Sequence, residues 1–311
     1  MPPRACQSHA RAARDNRSGP LRPLTPTMAK DPTDMSPPCR RAFAQLVSRP
    51  EPAIDLAEAA LLIAKEEYPE LEVTRYLSRL DAMAAELRDR VGGGPDAHRL
   101  IAALGDYLFK EQGFRGNTND YYDPRNSFLN DVLDRRMGIP ITLSTVYMEV
   151  GRRLGLRLRG VGMPGHFLVK YVGPDEEIVI DPFGGGAIVS PADCQRILDR
   201  ISDGKLAFQP HFLATLGTRQ ILARMLTNLK AIYFNNQAYA KALGVVDRLL
   251  ILDPQAATEI RDRGLLSSQL KRYPEAMADL ERYLKLASAA EDAEVIREHL
   301  RSIRQRVASL N

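Results

Sequence analysis

The chain has few of the features that mark several classes of protein. Its 311 residues include only three cysteines, Cys6, Cys39 and Cys194, with no Cys-x-x-Cys spacing. An odd, scattered set of thiols builds neither a disulfide framework nor a clustered metal site. No apolar run approaches the roughly 20 residues of a membrane-spanning helix. We therefore expect a protein of the reducing cytoplasm, with no membrane contact, no metal and no other cofactor.

A strong charge of one sign is also lacking. The formal net charge of +4 comes from the first 40 residues, which hold seven basic and three acidic side chains. The remainder contains 36 basic and 36 acidic side chains. A neutral body without a basic stripe argues against nucleic acid as a partner.

Residues 1–40 differ from the rest in composition. They are rich in Pro, Arg and Ser and poor in large apolar side chains, which is typical of a disordered tail. The stretch also resembles a transit peptide, because it is rich in arginine and poor in acidic residues. We favour a misplaced gene start, with Met28 or Met35 as the true first residue.

Hydrophobic spacing divides the following residues into three regions. Residues 41–115 are expected to form an N-terminal helical region, residues 116–190 a core, and residues 191–217 a connecting helical segment. In the core, Asn126 or Ser127 is placed to cap a short helix through Leu133.

A second core helix is expected to open at Pro140, a favoured first position for proline, and to end at Gly155. Short β-rich runs follow at residues 157–163, 167–172 and 177–181. The Gly-Pro-Asp turn between the last two runs predicts adjacent antiparallel strands.

Residues 218–311 contain an internal repeat. Tyr239-Ala-Lys-Ala-Leu and Tyr273-Pro-Glu-Ala-Met stand 34 residues apart, the period of tetratricopeptide helix pairs. Gly264 takes the small-residue position of the second repeat, where the first has Lys230. Because about three repeats are needed for an independent array, we expect flanking helices and docking on the core to stabilise these two.

The core carries polar residues in the order of an acyl-transfer site. The helix that opens at Pro140 is followed by His166 at a strand start, and Asp181 ends the next strand. Adjacent antiparallel strands would bring His166 and Asp181 into hydrogen-bonding distance. In a papain-like site a thiolate at a helix N-terminus is the nucleophile, a histidine takes its proton and a carboxylate orients the histidine.

This order resembles the transglutaminase-like superfamily. In that pattern the cysteine stands two residues after a glycine and fifteen residues before the glycine that ends the helix. Counted from Gly138 and from Gly155, both distances lead to Pro140. The resemblance therefore implies the frame of the site without its nucleophile.

Two other groups are considered as the nucleophile in place of the missing cysteine. The Thr142 hydroxyl lies in the first turn of the helix and could approach His166, whereas Cys194 is far away in sequence and is expected to be a packed or surface thiol. With Pro140 and the pair itself, three further residues are expected to line the cleft: Asn126, Asn130 and Gly165.

Several specific segments extend the likeness to about residues 45–310. They are Gly113-Phe-Arg-Gly-Asn, Tyr121-Tyr-Asp-Pro-Arg-Asn-Ser, Arg136-Met-Gly-Ile-Pro-Ile-Thr and Gly160-Val-Gly-Met-Pro-Gly-His-Phe-Leu. The chain is similar to the bacterial SirB family, whose own motif contains the proline. The resemblance implies an α+β fold that is mainly helical, with a small antiparallel sheet in a transglutaminase-like core and a C-terminal helical-repeat array.

Two functions remain open from the sequence. The first is a binding or regulatory scaffold that recruits an unidentified protein or peptide partner through residues 218–311, as helical solenoids do along a concave face. The alternative is a hydrolase or acyl-transfer enzyme in which His166 and Asp181 activate a water or the Thr142 hydroxyl.

Overall fold

Helices dominate the protein, and a small antiparallel sheet lies among them, as predicted. The computed structural model describes residues 37–92, 94 and 96–309. Most of the predicted tail, with Met28 and Met35, lies outside the described residues. Its last residues are helical from Pro38 onwards.

The described residues form twelve α-helices: α1 (Pro38–Val47), α2 (Leu56–Lys65), α3 (Val73–Val91), α4 (Ala97–Gly105), α5 (Leu129–Arg135), α6 (Pro140–Arg153), α7 (Pro191–Ser202), α8 (Thr218–Asn235), α9 (Tyr239–Leu252), α10 (Ala257–Gln269), α11 (Tyr273–Leu286) and α12 (Ala293–Ala308). A π-helical stretch, Asp106–Glu111, continues α4. Short 3₁₀ turns span Glu51–Ala53, Pro124–Asn126 and Pro210–Leu213. The strands are β1 (Arg115–Gly116), β2 (Met137–Gly138), β3 (Leu158–Val161), β4 (Leu168–Val172), β5 (Glu177–Asp181), β6 (Ala187–Ile188) and β7 (Thr215–Leu216).

Helix α6 lies at the centre of the core. It opens at Pro140, as predicted, and is buried from Pro140 through Gly151. Its end is followed by Gly155, whose φ of +90° reverses the chain. Because α6 is surrounded by α2, α3, α4, α5 and the sheet, nearly all its side chains are withdrawn from water.

The sheet has the order β6-β5-β4-β3-β7 and is antiparallel throughout. The three predicted strands are its centre. The edge strands β6 and β7 have two residues each, too few for a period of two to be visible. Strand β7 lies in the segment expected to be a helical connection. Pairing with β3 draws this segment into the sheet.

The prediction that Asn126 or Ser127 caps the short core helix was wrong. Helix α5 begins at Leu129 after Phe128, and no side chain caps it. The Asn126 amide instead bonds to Asn117 and to the Asp120 carbonyl. Tertiary contacts therefore replace the local cap.

Helices α8 to α12 pack one against the next in chain order. Tyr239 and Tyr273 each begin the second helix of a pair, so the 34-residue repeat is confirmed. A Cβ at Gly264 would lie 2.8 Å from the Leu280 side chain, and the small residue thus permits the close approach of α10 to α11.

The repeats dock on the N-terminal helices. Buried Arg248 on α9 donates from Nη1 to the Ile63 carbonyl at 2.9 Å, and its Nε lies 3.5 Å from a Glu66 oxygen. Arg40 on α1 pairs with Glu66 and, at 2.6 Å, with Asp247. Residues 36–311 accordingly form one compact unit, and Arg40 belongs to it rather than to a disordered tail.

Candidate site around His166 and Asp181

The pairing of β4 with β5 brings the two predicted polar residues together. Val169 lies opposite Ile180 in the antiparallel register, which places Leu168 opposite Asp181. His166 stands two residues before Leu168, and because side chains alternate between faces along a strand, His166 and Asp181 lie on the same face of the sheet. His166 Nε2 is 3.0 Å from Asp181 Oδ1. Each residue is 7% exposed, and the hydrogen bond predicted from the sequence is thus present in a nearly dry setting.

The turn after β5 holds the Asp181 carboxylate. Its Oδ1 also accepts the N–H of Gly184 at 3.0 Å. A Cβ at Gly184 would lie 2.8 Å from Oδ2, so a larger residue would displace the carboxylate. An ionised carboxylate only accepts hydrogen bonds, and His166 therefore carries its proton on Nε2. The other ring nitrogen, Nδ1, makes no hydrogen bond with the described residues and is available as a base.

Aromatic rings cover the imidazole. The Phe183 ring meets His166 edge-on, with ring centroids 5.9 Å apart. Tyr121 meets Phe183 at 6.5 Å and Tyr122 at 5.4 Å. A Cβ at Gly116 would lie 2.5 Å from the Phe183 ring, so this glycine lets the loop that carries Tyr121 lie close over the pair.

Asn126 organises that loop. It is fully buried, its Oδ1 accepts from Asn117 at 3.1 Å, and its Nδ2 donates to the carbonyl of Asp120 at 2.7 Å and to that of Tyr121 at 3.3 Å. We expected Asn126 to line a cleft. Its side chain fixes the backbone that carries Tyr121.

The Thr142 hydroxyl is committed to the start of α6. It is fully buried, accepts the Ile139 N–H at 3.1 Å and points its own proton at the Asn126 carbonyl, 2.7 Å away. Pro140, also buried, supplies neither a nucleophile nor an N–H at the first helical position. None of the recorded contacts joins either residue to His166.

Two further predicted residues differ in their surroundings. Asn130 is 6% exposed, and its Oδ1 has no hydrogen-bond partner among the described residues. Gly165 is exposed beside His166 with φ +66°. A Cβ there would lie 2.5 Å from Ile201, so Gly165 is needed both for the turn and for the packing of α7.

Cys194 is a packed thiol, one of the two outcomes expected. It is fully buried on α7 in a small apolar cluster with Val161, Met163 and Leu168. Burial raises the pKa of the Cys194 thiol, and the nearby Asp193 and Asp181 charges raise it further. A thiol with a raised pKa is a poor nucleophile.

Arg224, on the first repeat helix, reaches the same site. Its Nη2 donates to the His166 carbonyl at 2.7 Å and to the Met163 carbonyl at 2.9 Å. Its guanidinium carbon lies 5.6 Å from the centre of the Phe167 ring. Arg224 was not predicted as a site residue because residues from 218 onwards were expected to form only the repeats. The contact of Phe183 with His166 could have been predicted, since Phe183 lies in the Asp-Pro-Phe-Gly turn that begins at Asp181.

The recorded cavities lie elsewhere. One of about 520 Å³ lies between the Glu51–Leu56 segment, the end of α6 and the start of α8, and one of about 320 Å³ lies between α2 and α9. Neither is lined by His166 or Asp181.

The described part of the chain holds no cluster of three or more His, Cys, Asp or Glu side chains arranged to bind a metal ion. None of its helices combines the length and the apolar character that a membrane crossing requires.

The fold agrees with comparisons to known proteins. A model of the transglutaminase-like superfamily matches residues 74–227, and a tetratricopeptide repeat model matches residues 229–301. A "UPF0162 protein" of Xylella fastidiosa strain Temecula1 is 39% identical over 253 residues, which cover 79% of this chain and 89% of the relative. The UPF0162 protein PA3419 of Pseudomonas aeruginosa is 32% identical over 252 residues, 80% of this chain and 90% of the relative.

A more distant match is the human F-box only protein 21. It is 27% identical over 188 residues, which cover 57% of this chain and 29% of that protein.

The present chain thus has a transglutaminase-like core followed by tetratricopeptide repeats. On its similarity to the bacterial relatives, the chain belongs to the UPF0162 protein family.

Proposed function

We propose that the protein is a non-enzymatic binding scaffold of the cytoplasm, whose repeats recruit a protein partner while its core surface holds a segment of that partner. The array α8–α12, which packs on α1, α2 and α6 within one compact unit, carries this proposal. Stacked helical repeats present extended surfaces that bind proteins. Because of the sequence segments that resemble the SirB family, we assign the chain to that family.

The placement of the two described thiols, neither of them positioned as a nucleophile beside His166, supports a binding role. Pro140 occupies the nucleophile position at the start of α6, and Cys194 is buried among apolar side chains. Cys39 lies on α1, which packs on α2 and α9 rather than on the sheet that carries His166. Cys6 lies outside the described residues.

The surface over the pair also favours binding. We call the rim the group Tyr121, Tyr122, Gly165 and Ile201. Six large apolar side chains of the described residues are exposed, and the rim contains three of them, with Tyr122 at 70%. Exposed aromatic and aliphatic groups gathered around a polar centre are typical of a peptide-binding surface.

Affinity purification with the full chain as bait tests the role of the repeats. Leu286 and Val295 are the exposed large apolar residues on α11 and α12. The double variant Leu286→Asp, Val295→Asp is expected to lose the proteins that the wild type retains. The matched control is Ile188→Asp, the same kind of change on edge strand β6. Equal recovery by both variants would contradict the proposal.

A second function is favoured by one observation, the 3.0 Å bond between His166 and Asp181. Because the Nε2 proton is hydrogen-bonded to Asp181, Nδ1 could take a proton from a water molecule whose oxygen attacks the carbonyl carbon of a bound ester or amide. The same proton would then pass to the alcohol or amine that leaves as the acyl bond breaks. A positioned histidine contributes about 10²–10⁴ in rate. Turnover that falls by this factor in His166→Ala and Asp181→Asn would support an enzyme, and unchanged turnover would exclude it.

A further inference from the structure

We infer that Arg224, together with Tyr121 and the His166 turn, forms a subsite for a carboxylate group of a peptide segment bound at the rim. This inference rests on the binding role proposed for the core surface and names the chemistry of its ligand. The family pattern that identified His166 and Asp181 says nothing of Arg224, which lies on the first repeat helix.

The position of the guanidinium is fixed. Nη2 bonds to two carbonyls of one tight turn, since the His166 N–H itself bonds to the Met163 carbonyl at 3.1 Å. The Phe167 ring packs against the guanidinium. A Cβ at Gly162 would lie 2.9 Å from Nη1, so a glycine makes room for it. Four neighbours thus hold the cation beside His166 before any ligand arrives.

The charge of Arg224 has no counterion among the described residues. No Asp or Glu of this part of the chain forms an ion pair with it, and its Nε and Nη1 make no hydrogen bond there. Burial lowers the pKa of Arg224, and Tyr121 is the ionisable neighbour that opposes this effect. A partly buried charge without a partner is costly, and an arriving anion would relieve that cost.

Two other buried or partly buried cations of the repeats are paired. Lys230, also on α8, has Glu259 at 2.7 Å and Asp262 at 2.9 Å. Arg248 has Glu66 at 3.5 Å. Both serve the packing of helices and are neutralised within the chain. Arg224, in contrast, has no carboxylate partner among the described residues and lies next to exposed tyrosines.

The surroundings favour a carboxylate on a peptide. Because Nη2 is already bonded to two carbonyls, a carboxylate would accept a charge-assisted hydrogen bond from Nη1 or Nε, and a single cation balances a single negative charge. Tyr121 and Tyr122 offer rings for a neighbouring apolar side chain. A C-terminal carboxylate and an acidic side chain share this chemistry, and the two sources can be separated by the probes used.

NMR titration of the full chain, following the His166 ring signals, tests the inference. The three probes are N-acetyl-L-phenylalanine, its neutral amide, and N-acetyl-L-glutamyl-L-phenylalaninamide. A charge-assisted bond predicts that at least one carboxylate probe binds about tenfold more tightly than the amide. Preference for the first probe alone identifies a C-terminal carboxylate, and preference for the third an acidic side chain.

Variants of Arg224 test whether the preference for a carboxylate probe depends on this residue. Arg224→Gln is expected to abolish it, and Arg224→Lys, which keeps the charge, to retain part of it. Unchanged His166 signals in the free variants establish that the turn is intact. Equal binding of amide and carboxylates would overturn the subsite while leaving the core surface as a binding site. Binding of none of the probes would overturn both, and a preference that survives in Arg224→Gln would overturn the role of this residue.

Discussion

The repeats and the site around His166 differ in how their charged and polar groups are paired. In the repeats, Arg263 pairs with Asp279 at 2.7 Å and Arg261 with Asp292 at 2.7 Å. At the site, His166 keeps one ring nitrogen without a partner among the described residues, and Arg224, which α8 contributes, lies beside it with no carboxylate from those residues. These repeat pairs are neutralised within the chain, whereas the site retains polar groups that a ligand can satisfy.

The junction between the repeats and the N-terminal helices should show the largest change in stability. Arg248→Met removes two hydrogen bonds to backbone carbonyls and a buried ion pair, and we expect a loss of about 3 kcal/mol in the free energy of unfolding. Urea unfolding of the full chain measures it. The control Arg304→Ala breaks a pair with Glu281 that is about half exposed and should cost under about 1 kcal/mol. Similar losses in both variants would contradict a buried junction.

Packing within the repeats should show the next effect. Gly264→Val places methyl groups where a Cβ already lies 2.8 Å from Leu280. Overpacking of this kind costs about 1–3 kcal/mol, seen as a lower urea midpoint. Thr258→Val, at an exposed position of the same helix, should change the midpoint little. A tolerated valine at 264 would mean that α10 and α11 are farther apart than described.

The stability of the His166–Asp181 pair should depend on the hydrogen-bond acceptor at position 181. Asp181→Asn can keep an acceptor oxygen for both His166 Nε2 and the Gly184 N–H, and we expect a cost under about 1 kcal/mol. Asp181→Ala leaves both donors without a partner in a buried place and should cost about 1–3 kcal/mol. Thermal unfolding distinguishes the two variants. Equal destabilisation would show that the charge, rather than the acceptor geometry, matters.

The smallest expected effect concerns the thiols. Because burial raises the pKa of Cys194, the thiolate fraction at pH 8 lies below that of an ordinary cysteine. Iodoacetamide should modify the partly exposed Cys39 first, with Cys194 slower by about tenfold or more. Peptide mapping by mass spectrometry follows both sites. Equal rates in the folded protein would contradict the packed state of Cys194.

The sequence predicted the parts of this fold that depend on local patterns. The opening of α6 at Pro140, the three central strands and the 34-residue repeat follow from proline geometry and hydrophobic spacing. Adjacency of the β4 and β5 strands was enough to predict the bond between His166 and Asp181. The two-residue edge strands β6 and β7 could not be predicted, since their pairing depends on residues distant in sequence.

The rest of the site depends on contacts that no local pattern specifies. Arg224 follows His166 by 58 residues and sits in a helix whose own spacing indicates only a repeat. Asn126 suited a helix cap by residue type, yet its amide bonds to loop carbonyls five and six residues earlier. A short polar side chain can bond to nearby backbone groups in more than one way, and residue type alone does not say which way the chain adopts.

Photocrosslinking in the cells that express the protein natively tests the central claim most directly. A benzoylphenylalanine residue is placed at position 295 on the repeats or at position 122 on the core rim of the full chain. A scaffold that recruits a partner through its repeats and holds part of it at the core predicts discrete adducts at both positions that contain the same protein. No adduct at position 295, or unrelated proteins at the two positions, would contradict the account.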